Sequence, residues 1–191
     1  MKLYCAPGFS SLADHIAMLE AGLQFDIVKV DISTKQMEGG GLYTEINPKG
    51  YVPALVLEDG EMLTENVAIL TWVADRAPSL APPGPLGRYE LIEMLSFIAT
   101  EIHKRFPIYL SAAEATQEVL RKDLLRWFGF AADRLEHDYL FGNAFSAADA
   151  YLFVMARGAV ALGFPLPDVF RDYISRIESR PSVQEATRRE A

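Results

Sequence analysis

Ser10 and Ser11 follow a Pro7-Gly8 turn and precede a helix-like run, so their hydroxyls stand at a helix N-terminus, where developing negative charge is stabilised. A hydroxyl in that place can hydrogen-bond a thiolate, the reactive form of a thiol whose ordinary pKa is about 8.5; it can equally be a plain helix cap. Thr64-Glu65-Asn66 opens a second helix, whose free N–H groups suit a carboxylate. Asn66 can donate to such a ligand and Glu65 can pair with an ammonium, so a zwitterionic amino-acid end would be read at both charges; the simpler reading is that Thr64 or Glu65 only caps the helix. Val52-Pro53, behind Asn47-Pro48-Lys49-Gly50, is a setting for a cis bond that turns the backbone outward, leaving Val52 to offer its N–H and C=O to an extended peptide. A trans proline at a sheet edge is the alternative. Ser96, Thr100 and His103 fall at spacings of four and three and so share a helical face, where His103 could donate or act as a base, or be an ordinary surface histidine. Phe145-Ser146-Ala147-Ala148-Asp149 reads as a capping box that starts a buried helix, Ala150 to Met155.

The chain that must position these groups has 191 residues, 50% of them hydrophobic and 23% charged, an ordinary globular composition that excludes disorder. Its net charge of −8 opposes nucleic-acid binding and points to a small-molecule partner. No run approaches the roughly 18 apolar residues that cross a bilayer, and Met1-Lys2-Leu3-Tyr4 opens into a strand and not a signal segment, so no membrane contact and a cytoplasmic location are expected. The single cysteine, Cys5, excludes an internal disulfide and a multi-cysteine metal site, and the three histidines lack metal spacing. His15 and His137 read as ordinary.

Lys2 to Cys5 and Asp26 to Val30 are strand-like, with a helix from Leu12 to Gly22 between them, a βαβ unit. Beyond a Gly-rich interval, Asp59-Gly60 separates two alternating runs and predicts an antiparallel hairpin, followed by a helix from Glu65 to Ala77. Four prolines between Pro78 and Pro85 mark a linker. After it the periodicity is helical throughout, with long helices near Arg88 to Leu110 and Glu118 to Tyr139 and shorter ones after Ser146 and Pro167; Pro107 is expected to kink or end the first. The division is thus an α/β part over residues 1–77, a linker over 78–86 and an all-helical part over 87–191.

Together these residues resemble the cytosolic glutathione transferase family, and its bacterial beta class most closely, through Met1-Lys2-Leu3-Tyr4, Pro7-Gly8, the run from Asn47 to Leu55, Leu63-Thr64-Glu65, Ala99-Thr100-Glu101-Ile102-His103-Lys104, the Ser146 to Asp149 box and Arg180-Pro181-Ser182-Val183. The resemblance implies a thioredoxin-like N-terminal domain with a mixed four-stranded sheet and a cis proline, Pro53, followed by an all-helical C-terminal domain. It implies glutathione as co-substrate without a metal, a hydrophobic acceptor site, a homodimer and a role in detoxification. Carried over residue by residue, Val52 pairs with the cysteinyl backbone of glutathione, Glu65 and Asn66 hold its γ-glutamyl end, and Lys35 approaches its glycine carboxylate. Ser96, Thr100, Glu101 and His103 line the same cleft.

Three positions depart from the class. Ser10 stands where a cysteine is typical, which excludes disulfide exchange there and leaves Ser10 or Ser11 to donate to the thiolate. Asn66 replaces a serine, and Cys5 replaces a tyrosine, while alternation turns Tyr4 to the opposite sheet face. Conjugation of the glutathione thiolate to small hydrophobic electrophiles is the leading expectation. A binding or protein-interaction module of the same fold with little turnover, and a reductase using Cys5, are the rivals.

Overall fold

The computed structural model describes residues 1–135 and 137–191. Strand β1 (Lys2–Cys5) lies parallel to β2 (Asp26–Lys29), a pairing that requires a crossover, and helix α1 (Ser11–Glu20) supplies it. β3 (Ala54–Val56) runs antiparallel to β1, with Leu3 opposite Leu55 and Tyr4 opposite Ala54, and β4 (Met62–Thr64) pairs antiparallel with β3. The sheet order is β2-β1-β3-β4. Asp59 and Gly60 close the hairpin: Gly60 takes φ +89°, and the Asp59 side chain accepts from the Glu61 N–H.

Because side chains alternate across the strands, Leu3 and Leu55 enter the main core under α1 and α2 (Asn66–Arg76). Tyr4 and Ala54 instead join a smaller cluster with Val30, Tyr43 and Val52 on the other face. Val30 itself lies just past β2, bridged to Met37.

After α2 the proline-rich segment makes one 3₁₀ turn, Pro78–Leu80, then runs irregularly into α3 (Gly87–Phe97). A Cβ at Gly87 would stand 1.8 Å from the Pro82 carbonyl oxygen, so the chain can fold back here only over a glycine. The first long helix is broken as a kink at Pro107 requires, but just ahead of the proline. It does not end at Pro107; it loosens earlier, into a π-helical turn over Ile98–His103, and α4 (Arg105–Ser111) then carries Pro107 as its third residue. A proline ring excludes the carbonyl four residues before it, but needs no N–H partner in a first turn, so the break falls ahead of Pro107.

Helix α5 (Glu114–Ala132) begins earlier and ends earlier than the expected Glu118 to Tyr139, and residue 136 of that expectation lies outside the described residues. Tyr139 belongs to an irregular segment, bridged to Gly142 and hydrogen-bonded through its hydroxyl by Arg180. Helices α6 (Ala147–Ala161), α7 (Val169–Glu178) and α8 (Pro181–Glu190) complete the chain. Every residue of α6 from Ala147 to Ala156 is buried, as expected of a helix apolar on all sides, and α1 packs against α6, α2 and α8.

The α6 capping box forms in both directions. Asp149, fully buried, accepts from the Leu140 and Ser146 N–H groups and from the Ser146 and Tyr173 hydroxyls. Removing such an acceptor strands several buried donors at once. Asp149→Ala is therefore expected to lower unfolding stability by roughly 3 kcal/mol or more, against about 1 kcal/mol for Ser146→Ala, as read by urea denaturation.

Candidate functional site

The turn between β1 and α1 is tied from within. Ser11, fully buried, accepts the Ala6 N–H at 3.1 Å and lies against the Ala6 carbonyl, so its hydroxyl is committed to the turn and does not reach the cleft. Ser10, one residue earlier, does reach it. Gly8 at φ +80° permits the tight approach of Pro7–Ser10 to the helix start.

Opposite this turn, the Val52–Pro53 bond is cis, and both residues face the same cleft. The preceding residue is pinned: the Tyr51 carbonyl accepts from the Tyr43 hydroxyl at 3.0 Å and from Asn47 Nδ2 at 2.9 Å. The third wall is the start of α2. Glu65 holds φ +75°, a left-handed conformation rare outside glycine, and strain of this kind concentrates at ligand clamps. Its carboxylate accepts from Lys49 Nζ at 2.5 Å and from the Tyr51 hydroxyl at 2.9 Å. The Lys49 hydrogen bond, against the opposing effect of burial, holds the Glu65 carboxyl below its ordinary range, so it is an anion facing the cleft.

Asn66 is turned differently from expectation. Its Nδ2 donates to the Ser10 carbonyl at 3.1 Å and to Asp14 Oδ2 at 2.6 Å, and its Oδ1 accepts the Ser10 hydroxyl at 3.1 Å. The side-chain amide is thus spent within the protein, and only its backbone N–H, at the first position of α2, stays without a helical partner.

From the helical half, Ala99, His103, Lys104 and Tyr151 close the cleft, which encloses about 510 Å³. Ser96, Thr100 and Glu101 do not line it. The shared face expected for Ser96, Thr100 and His103 assumes a regular helix, and the π turn changes the register between them. The Thr100 hydroxyl bonds back to the Ser96 carbonyl, and Glu101 pairs with Arg105. Lys35 sits outside the cleft wall, its ammonium on the Gly50 carbonyl at 2.8 Å.

His103 Nδ1 lies 2.7 Å from the Tyr151 hydroxyl. Burial pushes the Tyr151 phenol far up, so it stays protonated; with the phenol assigned as donor, the imidazole hydrogen is on Nε2. Burial also holds His103 below its ordinary value, against the opposing pull of Glu65. A second cavity, of about 380 Å³, adjoins the first and is walled by Phe9, Phe106, Leu110, Val154, Met155 and Leu162. Ser10 and His103 line both. Among the described residues, no cluster of three or more His, Cys, Asp or Glu side chains could hold a metal ion, and no helix is long and apolar enough to cross a membrane.

Comparison with known proteins bears on this geometry. The family model for the glutathione S-transferase N-terminal domain matches residues 14–76. Glutathione S-transferase GstA of Escherichia coli O157:H7 is 40% identical, covering 97% of this chain and 96% of its own. The chain belongs to the glutathione S-transferase family. The bacterial beta class glutathione S-transferase of Sphingomonas chungbukensis superposes with a TM-score of 0.89 at 40% identity, over 100% of this chain and 99% of that one. A sphingomonad glutathione S-transferase solved in complex with glutathione gives 0.88 at 38% identity, over 100% and 98%.

Several residues that line or support this cleft were not singled out by the sequence. Tyr51 and Lys49 lie within a run already singled out, and their contacts with Glu65 span a loop and a hairpin. Phe9 lies beside Ser10. Tyr151 and Asp14 gave no signal, being polar groups inside apolar helices whose partners come from other elements.

Cys5 is fully buried, and burial first, with Glu190 adding to it, pushes its thiol far above the ordinary range. A thiol held protonated out of water is no nucleophile. Native protein is expected to give no reaction with an aromatic disulfide reagent until unfolded, and Cys5→Ala to keep full activity. For His103 the sign is the reverse of a stabilising ion pair: the unfolded chain takes up a proton near pH 6.5 that the folded protein resists, so stability falls as pH drops below about 6.5. Melting temperatures of His103→Asn measured between about pH 7 and pH 5 should decline less steeply than those of the wild type.

Proposed function

We propose that the protein conjugates glutathione, through its sulfur, to small hydrophobic electrophiles. The observation that carries this reading is the placement of Ser10 and His103 on the wall shared by the cleft that holds Glu65 and the start of α2 and a more apolar cavity, so that a thiol held in one faces an acceptor held in the other.

In this reading glutathione lies extended along the cis Val52–Pro53 edge, its cysteinyl backbone paired with Val52. Its γ-glutamyl ammonium meets Glu65, joining or displacing Lys49, and its γ-glutamyl carboxylate meets the N–H groups at the start of α2, including that of Asn66. Lys35 serves the glycine carboxylate by leaving Gly50. Ser10 donates to the thiolate, aided by the N-terminus of α1. The sulfur then bonds the electrophilic carbon, while a halide departs or an epoxide C–O bond opens, and the thiol proton passes to solvent. His103, neutral, offers a hydrogen bond to the acceptor. A homodimer, a cytoplasmic location and a role in detoxification complete the proposal by analogy with the family.

Calorimetry with glutathione, paired with assays on a chlorinated nitroarene, an epoxide and an isothiocyanate, tests it. Ser10→Ala is expected to lower kcat about 100-fold. Glu65→Ala is expected to raise KM for glutathione roughly 10- to 100-fold. No binding at millimolar glutathione would reject the assignment. Binding without glutathione-dependent consumption of any electrophile would favour a binding module instead.

A further inference from the structure

Asp14 has no contact with either cavity, yet it is a fully buried carboxyl one helical turn behind Ser10. Helix α1 is otherwise lined here by Leu12, Ala13, Ile16 and Ala17, where an acidic side chain is costly unless it is paired. Among the described residues its one side-chain hydrogen-bond partner is Asn66 Nδ2, at 2.6 Å. That bond, with the one from Nδ2 to the Ser10 carbonyl, fixes which end of the amide faces which neighbour: Nδ2 points at two acceptors, which leaves Oδ1 toward the Ser10 hydroxyl. Ser10 and Asn66 are thus in direct contact, and Asp14 is the third member of the chain of hydrogen bonds.

We propose that Asp14 is a positioning residue for glutathione's sulfur: by holding the Asn66 amide, it sets the place and direction from which Ser10 offers its hydroxyl hydrogen. This rests on the reading of Ser10 as the thiolate's donor. The Ser10–Asn66 contact, at 3.1 Å, is long for a hydroxyl donor, whereas a bond to an anionic sulfur is charge-assisted. The hydroxyl therefore turns from Oδ1 to the sulfur when the thiolate arrives, pivoting on an oxygen that Asn66 has kept in place. Burial, more than any other influence, pushes the Asp14 carboxyl well above its ordinary range, with Glu190 of α8 adding to it and the Asn66 bond opposing. Tyr151 of α6 also lies close enough to interact with it. An asparagine in its place keeps an acceptor for the Asn66 amide and should serve.

The test is the bound thiol's titration, followed by thiolate absorbance in the glutathione complex, together with steady-state kinetics. Asp14→Ala is expected to raise the bound thiol's pKa by about one unit, and to lower kcat near neutral pH about tenfold with KM for glutathione nearly unchanged. Asp14→Asn, which keeps an acceptor, is expected to restore both. A merely structural role would lower the melting temperature of Asp14→Ala and leave the thiol pKa of the folded protein where it was; that result, or an Asp14→Asn as impaired as Asp14→Ala, overturns the proposal. Should Asp14→Ala fail to fold, the Asn66 side-chain amide in the NMR spectrum of the wild type decides: its signals shift with glutathione and much less with S-methylglutathione, and equal shifts overturn the idea. A wild type that binds glutathione and shows a depressed thiol pKa, beside an unaltered Asp14→Ala, sinks only the role of Asp14. A wild type whose bound thiol titrates as in free solution sinks the Ser10 reading as well.

Discussion

Helix α1 is surrounded. From Ser11 to Met18 every residue is out of contact with water, enclosed by the sheet, α2, α6 and α8, and this enclosure constrains the rest of the site. A helix so held cannot shift its N-terminus without opening the core, so the turn that carries Ser10 is fixed by packing far from it. The same enclosure obliges each polar side chain on α1 to find a partner from another element. Ser11 finds the Ala6 backbone beside β1, Asp14 finds Asn66 on α2, and His15 finds Glu190 on α8 at 2.9 Å. Glu20, at the far end, takes both oxygens to Arg180, at 2.7 and 2.8 Å, and the Arg180 guanidinium also lies over Phe145. One helix is thereby stitched to the sheet, to the second helix and to the C-terminal segment.

The cleft follows from how the two kinds of structure meet over that helix. The backbone at Val52, beside the cleft, and the N-terminus of α2 give the α/β side its polar groups, since strand ends and helix starts leave peptide groups without partners. The helical side presents mainly apolar side chains. The π turn at Ile98–His103 belongs to this division: it turns His103 and Lys104 toward the cleft, and the α4 that follows brings Phe106, Pro107 and Leu110 to the apolar cavity.

The boundary between what was legible in the sequence and what was not follows the range of the forces involved. Apolar spacing in α1 and α2, the Asp59-Gly60 turn, the prolines from Pro78 to Pro85 and the Ser146–Asp149 box are signals carried by neighbours a few residues apart, so the βαβ-ββα order and the helical second half could be read directly. Val52, Pro53, Glu65, Ser10 and His103 could likewise be picked out, because a strand-start proline, a helix N-terminus and a histidine in a family motif announce themselves locally. The direction in which side chains point is another matter. Asn66 was legible as a residue at a helix start but not as the partner of Ser10 and Asp14, which lie 56 and 52 residues away along the chain. Ser11 and Ser10 were indistinguishable until the turn closed on Ala6. Tertiary structure alone decided these, because a buried polar group is satisfied by whichever distant partner the packed core brings within hydrogen-bond reach, and no local pattern encodes that meeting.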